Sequence, residues 1–250
     1  DLFFNIGDSS LRGNGAVPLD LLREDRASVF THPDITDNQL TMASVSFRQL
    51  LGADTELSVS GFLRQLEVNS FNGDGTEFEE CGEDDGAGFG SVDDDGEDSP
   101  FEGFLCDEDE KPVRDLDGRL VSEDFNAINN RSRRQQDSVG LTVQLLLNRD
   151  WGGVENQAVF GIDYFRGTTD FDSSVEFAQL AENRGTTLTG RFYTDGFVNL
   201  ESELETWSAF ASDAISLSDR LTITLSARFN GTHVDNADPT GINPALEGSH

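Results

Sequence analysis

A strict alternation of apolar and polar residues constrains the fold of this chain most. In LTITLSARFN (221–230), Leu221, Ile223, Leu225 and Phe229 share one side, and polar residues fill the other. Successive side chains of a β-strand point to opposite faces, so the pattern predicts a strand with one apolar and one polar face. Comparable patterns occur at 43–48, 57–64, 138–147 and 157–165, and a less regular one occurs at 206–215. The sequence therefore predicts six strands.

The connections between these strands alternate in length. Short segments rich in turn-forming residues lie at 52–55, 148–153 and 216–220, whereas the connections at 70–135 and 171–203 are long. Long loops without structure are uncommon in compact domains, but outer-membrane barrels join their strands by short periplasmic turns and long extracellular loops. We therefore predict an all-β fold with antiparallel up-and-down strands that form part of a transmembrane β-barrel.

This interpretation divides the chain into three hairpins and four loop regions. The predicted order is extracellular loop 1–38, first hairpin 39–69, long acidic extracellular loop 70–135, second hairpin 136–170, extracellular loop 171–203, third hairpin 204–234, and the start of a further loop at 235–250.

Charge excludes one class of partner. The formal net charge is −31, and residues 71–110 contain 17 acidic residues without a basic one. Because binding to nucleic acid needs a basic face, we expect no nucleic-acid partner. The chain also lacks a run of 18 apolar residues, so no transmembrane helix is encoded. The protein is thus either soluble or inserted in a membrane through strands.

Both cysteines of the chain, Cys81 and Cys106, lie in the acidic segment. A disulfide is favoured, because a polar, glycine-rich loop is a poor environment for buried, inert thiols. Two free cytosolic thiols are the alternative. A zinc site is not expected, since His32, His233 and His250 all lie far away in sequence.

The acidic segment also partly matches a calcium-binding loop. In SVDDDGEDSPFE (91–102), Asp93, Asp95 and Glu102 have suitable spacing, but Ser91 occupies the first ligand position. A calcium site of low affinity and a merely solvated acidic loop both remain open. No other cofactor is expected. Because no nucleophile elbow or His-Glu-x-x-His motif occurs, we predict that the protein is not an enzyme.

Two stretches resemble a known family. The sequence ETWSAFASDAISLSDRLTITLSARFN (205–230) is similar to a recurrent hairpin of TonB-dependent outer-membrane receptors, with an aromatic-rich strand, a turn ending in Ser-Asp-Arg-Leu and a strand closing with Ala-Arg-aromatic. THPDITDNQL (31–40) and the alternation of turns and loops are similar to the same family's barrel. The resemblance covers residues from about 30 to 235.

The resemblance implies energised uptake of a scarce nutrient across the outer membrane of a Gram-negative bacterium. The nutrient would be a ferric siderophore, cobalamin or an oligosaccharide. No plug domain or TonB-contacting segment is recognisable, and such barrels have about 22 strands, so we expect a fragment. Its expected partners are the rest of the barrel and the plug, TonB through the missing N-terminal part, outer-membrane lipid and the small-molecule nutrient.

In such a barrel the polar face would line the lumen, so Arg48, Arg64 and Arg228 are predicted to point there, where plug carboxylates could pair with them. For the three arginines of NNRSRRQQ (129–136), pairing with the acidic loop's own carboxylates is favoured over contact with anionic lipopolysaccharide or with a negative ligand at the barrel mouth. The ligand-binding residues stay unknown. The alternative function is a secreted, acidic β-sandwich that binds calcium through its acidic loop.

Overall fold

The computed structural model describes residues 1–13, 17–82 and 100–249. Its strands are β1 (Leu2–Arg12), β2 (Asp34–Leu50), β3 (Thr55–Gly75), β4 (Glu79–Glu80), β5 (Leu105–Cys106), β6 (Ala127–Trp151), β7 (Val154–Ala178), β8 (Val198–Ser218), β9 (Leu221–Ala237) and β10 (Gly248–Ser249). The helix α1 (Leu19–Glu24) and single 3-10 turns at Thr194–Gly196 and Pro244–Leu246 complete the elements. Within the described ranges, every helix is too short or too polar to cross a membrane.

Eight of these strands form one sheet in the order β1-β2-β3-β6-β7-β8-β9-β10, and each pairs antiparallel with its neighbour. The strands β4 and β5 form a separate small sheet inside the connection from β3 to β6. Neighbours in the large sheet are neighbours along the chain, apart from this insertion. The predicted antiparallel up-and-down fold is therefore confirmed.

The short connections all lie at one end of the sheet, which we call the turn end. They link β2 to β3, β6 to β7 and β8 to β9, as predicted. The connection from β6 to β7 consists of Gly152 and Gly153, whose φ angles are +72° and +88°. Two consecutive positive φ angles are typical of a type I′ hairpin turn, which matches the twist of the flanking strands. The long connections lie at the opposite end, which we call the loop end.

Strand register aligns the apolar residues in rows across the sheet. One row consists of Val59, Val143, Ile162, Ala209 and Phe229, which occupy paired positions on β3, β6, β7, β8 and β9. We call the face that carries this row the outer face and the opposite face the inner face. Nothing in the described structure covers the row, and Ile162 and Phe229 are 58% and 61% exposed. Large uncovered apolar patches of this kind mark an interaction surface.

Two of the aromatic residues that interrupt the alternation cover glycines. Phe62 and Phe210 lie on the mainly polar inner face, where each ring covers a glycine on the neighbouring strand. A methyl group at Gly140 would overlap the Phe62 ring, and one at Gly161 would overlap the Phe210 ring. Each ring thus shields backbone that the glycine leaves bare.

The strands extend further toward the loop end than predicted. The three predicted hairpins at 39–69, 136–170 and 204–234 occupy 34–75, 127–178 and 198–237. The predicted loop 1–38 also contains β1, which pairs along its whole length with β2. Toward the loop end both faces of these strands are polar, so the alternation of hydropathy ends although backbone pairing continues. The observed hairpins are therefore longer than the predicted ones.

The main buried cluster of the described chain lies at the loop end, where the last residues of β7 meet the long connections. Leu105, Val113, Val121 and Phe177 are buried together, and Phe78, Phe125 and Tyr193 pack around them. The β-sandwich alternative requires a second sheet against the outer face. In the described residues the second sheet has only two-residue strands and pairs Glu79–Glu80 with Leu105–Cys106, so this alternative is not supported.

Candidate functional site

The inner face carries a connected group of charged and polar side chains near the middle of the sheet. Arg228 on β9 donates through Nη2 to Asp163 Oδ2 on β7 at 2.9 Å and to Ser208 Oγ on β8 at 2.8 Å. Ser208 Oγ in turn donates to Asp163 Oδ2 at 2.9 Å. The guanidinium also lies 5.4 Å from the centroid of the Phe210 ring. Three strands are thereby linked through one carboxylate.

The other two arginines predicted to face the lumen lie on the same inner face. Arg48 forms an ion pair with Glu56 at 3.0 Å, and Arg64 donates to Gln136 Oε1 at 2.9 Å. The sheet itself therefore supplies carboxylate partners for Arg48 and Arg228, so the pairing of these two arginines does not require a plug carboxylate. The lumen-facing role of the three arginines stays a prediction.

The second polar region is a cap at the loop end, which we define as residues 76–82, 100–126 and 179–197. The structure joins Cys81 to Cys106 by a disulfide, with 5.0 Å between the Cα atoms. Both cysteines are buried beside the small sheet, where Cys81 N donates to Phe104 O at 2.8 Å. The disulfide thus links the residue that follows β4 to β5 within the cap.

An ion pair between a buried carboxylate and a partly exposed arginine joins the two long connections within the cap. Arg191 donates to Asp115 Oδ2 from Nε at 3.0 Å and from Nη2 at 2.7 Å. Its Nη2 also donates to Leu120 O at 3.1 Å, and the guanidinium lies 5.1 Å from the Phe125 ring centroid. Burial raises the pKa of the Asp115 carboxyl, but hydrogen bonds from Arg191 and from backbone amides outweigh this effect, so the pKa lies below its usual value.

The cap is also attached directly to the sheet. Glu176 on β7 is buried, and its Oε1 accepts hydrogen bonds from the backbone amides of Thr189 and Gly190 at 2.8 and 2.7 Å. Its Oε2 pairs with Arg131 on β6 at 3.2 Å. A buried carboxylate with several donors holds its surroundings in one arrangement. The second long connection is therefore fixed to β7.

The arginine-rich run 129–136 lies on β6, and two of its arginines pair with carboxylates of neighbouring strands. Arg131 pairs with Glu176, and Arg133 pairs with Glu67 at 3.2 Å. These partners belong to the strands and not to the acidic segment. The favoured pairing with carboxylates is thus present, with different partners from those expected.

The calcium prediction falls mainly outside the described residues. Asp93 and Asp95 lie in the part of the chain that the structure does not describe, whereas Glu102 is described and exposed. Among the described residues, no group of His, Cys, Asp and Glu side chains is arranged to hold a metal ion. Calcium binding stays a prediction.

Sequence reasoning missed the residues that organise both regions. Asp163 belongs to a recognised polar face, but alternation does not show that it pairs with an arginine two strands away. Asp115, Glu176 and Arg191 lie in stretches predicted as loop or loop edge, where no pattern distinguishes them from the many other charged residues. Only the three-dimensional contact reveals their role.

Comparison with known proteins agrees with this architecture. The sequence model of a family described as "TonB dependent receptor-like, beta-barrel" matches residues 4–249. Comparison with curated protein sequences gave no match. Among solved structures, the chain is similar to the unliganded ferric citrate transporter FecA, with a TM-score of 0.61, 12% identity, and coverage of 99% of this chain and 29% of FecA.

It is likewise similar to the ferric-catecholate import receptor Fiu from E. coli K12, with a TM-score of 0.59 and 10% identity over 95% of this chain and 32% of Fiu. The chain thus spans about a third of the length of these receptors, and at this identity the likeness concerns the fold. Members of the family are outer-membrane transport receptors that combine a barrel with a plug and TonB. With the match over nearly its whole length, the chain belongs to the TonB-dependent receptor β-barrel family.

Proposed function

We propose that the chain forms part of the barrel of a receptor in the outer membrane of a Gram-negative bacterium, and that the receptor takes up a scarce nutrient at the expense of energy delivered by TonB. The uncovered apolar band on the outer face carries this proposal. On β6 the apolar residues of this band run from Val139 to Leu147, nine positions. A transmembrane β-strand needs about 9–11 residues.

The edges of the sheet support the need for further strands. Within the described structure β1 pairs only with β2, and β10 pairs with β9 only at Asp235 and Asn236. Unpaired backbone groups in hydrocarbon cost several kcal/mol each by the usual order of magnitude. The remainder of the barrel would pair with both edges, and a plug would occupy the lumen against the inner face. TonB would act through the N-terminal part of the receptor.

The nutrient is a small molecule of the ferric siderophore, cobalamin or oligosaccharide class, and the receptor is a transporter without enzymatic activity. FecA and Fiu are described as a ferric citrate transporter and a ferric-catecholate import receptor. Ferric chelates are therefore the first ligands to test. Cobalamin and oligosaccharides form the comparison set.

Uptake by whole cells tests this function. A strain that lacks the full receptor is compared with the same strain complemented by the intact gene, and each is grown with one nutrient as the limiting source. We expect uptake of one nutrient to require both the receptor and TonB. Uptake that continues without TonB, or that is unchanged without the receptor, would contradict the proposal.

The acidic segment adds a proposal about ions. The 17 acidic residues between positions 71 and 110 repel strongly anionic ligands unless cations screen them, and Asp93, Asp95 and Glu102 are the proposed calcium ligands. Calorimetric titration of the full receptor with calcium, before and after replacement of the two aspartates by asparagine, tests the site. Equal calcium binding by both proteins would exclude these ligands.

A further inference from the structure

A groove of about 480 Å³ lies on the outer face near the loop end. Strands β3, β6 and β7 and the start of β8 form its floor, and the connection from β9 to β10 forms one wall. Its volume falls in the range of small-molecule sites, which is roughly 300–1,000 Å³. It is separate from the inner-face cluster and from the buried core of the cap.

Planar polar side chains form one row of the floor. Asn69, Arg133, Asp172 and Asn199 occupy paired positions on four neighbouring strands. The Asn199 amide donates to Asp172 Oδ1, which holds these two side chains in one orientation. Amide, carboxylate and guanidinium groups in one row offer both donors and acceptors to a ligand with several hydroxyl groups.

Aromatic surface forms the next row toward the loop end. Phe71 on β3 and Phe197 immediately before β8 both line the groove and are only partly buried. Between them Arg131 lies with its guanidinium 4.7 Å from the Phe71 ring centroid. The groove thus combines apolar ring surface with an adjacent polar row.

The wall of the groove is a well-ordered loop. Asp238 is buried, and its carboxylate accepts hydrogen bonds from Thr240 N at 3.0 Å and Gly241 N at 3.1 Å. Asn243 Nδ2 donates to Phe197 O at 2.6 Å, which fixes the loop to the sheet. Ile242 at the rim remains 49% exposed. The groove is therefore preformed.

Both arginines of the groove are already paired with carboxylates. Arg131 pairs with the buried Glu176, and Arg133 pairs with Glu67, each at 3.2 Å. An incoming phosphate would have to compete with these carboxylates, and Asp172 in the floor would repel it. A neutral polyol would not. The electrostatics therefore favour a sugar without phosphate.

The height of the groove also favours a sugar. Phe71 lies eight residues beyond Leu63, the last apolar outer-face residue of the band on β3, which is about 26 Å of strand at about 3.3 Å per residue. With a strand tilt of about 40°, this corresponds to a rise of about 20 Å. The head-group layer on each side of a bilayer is only about 5–8 Å thick. The groove therefore lies above the lipid phosphates.

We propose that this groove binds neutral sugar residues in the core of an outer-leaflet glycolipid. The inference rests on the proposed membrane location, because the groove shares the outer face with the lipid-facing band. A pyranose ring would place its apolar face against Phe71 or Phe197, and its hydroxyl groups would bond to the row that begins at Asn69. The glycolipid's acyl chains would lie beside the apolar band below.

The test uses the full receptor, purified in detergent and stripped of bound glycolipid. Three probes are titrated: the phosphate-free core oligosaccharide released from outer-membrane glycolipid, a deep-rough glycolipid that lacks the core, and inorganic phosphate. The groove variant is Phe71→Ala with Phe197→Ala. A second variant, Ile242→Asp, changes only the exposed rim and leaves the sheet intact. Trp151→Ala, an exposed aromatic residue at the turn end, is the control.

We expect the core oligosaccharide to bind, with an affinity at least tenfold weaker in both groove variants and unchanged in the control. Binding of the deep-rough glycolipid or phosphate alone, or oligosaccharide binding that the groove variants leave unchanged, would overturn the proposal. Nutrient uptake is measured in the same strains. Normal nutrient uptake by a receptor that binds no oligosaccharide would contradict the proposal that the groove binds sugar. It would leave the proposed transport function intact.

Discussion

Replacing Arg191 by methionine removes the ion pair that joins the two long connections of the cap. Methionine keeps an unbranched apolar side chain against Phe125, but it loses two hydrogen bonds to Asp115 and one to Leu120. The Asp115 side chain is only 4% exposed, so water cannot easily take the place of the guanidinium. The carboxylate is then left buried and partly unpaired.

The expected loss of cap stability follows from the burial of the Asp115 carboxylate. Removing one partner of a buried ion pair costs about 3–5 kcal/mol. Asp115 Oδ1 still accepts hydrogen bonds from the amides of Asp117 and Arg119, at 3.0 and 2.9 Å, so we expect the lower limit. A loss of about 3 kcal/mol increases the opening equilibrium of the cap by about 100-fold.

Hydrogen exchange in the full receptor measures this opening. The amides of Leu105, Val113 and Val121 donate across the cap core to Val121 O, Leu105 O and Val113 O, so their exchange reports its stability. The control is Arg119→Met, because Arg119 pairs with Asp117 at the surface, where side-chain exposures are 71% and 65%. Such surface pairs contribute about 0–1 kcal/mol. Equal exchange in the two variants would refute the reasoning.

Three further predictions concern pH, packing and the disulfide. The folded-state pKa of Asp115 is lowered, so its ionised carboxylate stabilises the folded cap. This stabilisation is present above the unfolded pKa of about 3.9 and is lost as the pH falls through the folded-state pKa. Amide protection in the cap should therefore fall only below about pH 4. Gly161→Ala should lower barrel stability by about 1–3 kcal/mol in thermal unfolding, since the ring above it must move. Replacing Cys81 and Cys106 by serine should cost the cap about 3 kcal/mol, measured by hydrogen exchange.

Each of these predictions has a control. The Arg191→Met variant should lose the acid dependence of cap protection, and a dependence that persists would assign it to another group. Gly52→Ala should leave the melting temperature unchanged, since nothing lies within 4 Å of an added Cβ there; equal effects at Gly52 and Gly161 would contradict the packing argument. Loss of the disulfide should leave exchange in β9 unchanged, and general destabilisation would show that its effect is not local to the cap.

The part of the fold that lies in the apolar band was predictable from sequence, because one rule governs it. Each strand there has an apolar and a polar side, so Leu221, Ile223 and Leu225 could be assigned to one face without knowledge of their neighbours. The same parity placed Arg48 and Arg228 on the opposite face. Their partners Glu56 and Asp163 could not be named, because pairing across strands depends on register.

The strand extensions were not predictable by that rule. Residues 127–135 pair with both β3 and β7 over their length, yet they contain polar side chains on both faces. A strand with two polar faces has the same composition as a loop. β1 departs from the rule at its start, where Phe3 is apolar on the inner face, although Leu2, Phe4 and Ile6 share the outer face.

The cap was not predictable for a different reason. Its core joins Phe78, Leu105 and Val121 of one connection with Phe177 at the end of β7 and Tyr193 of the next connection. In the sequence these residues lie in apolar stretches of at most three residues separated by polar ones, and no periodic pattern connects them. Only the disulfide gave a local indication that this segment contains structure.

The most direct test of the barrel assignment is a nitroxide scan along β9 in the full receptor within its membrane, with one spin label at a time from residue 221 to residue 230. We expect labels at Leu221, Ile223, Leu225, Ala227 and Phe229 to collide with oxygen dissolved in lipid, and labels at the even-numbered positions to be protected from it. A period of two would confirm that the outer face contacts lipid. Protection of both sets of positions, as in a face packed against protein, would contradict the account.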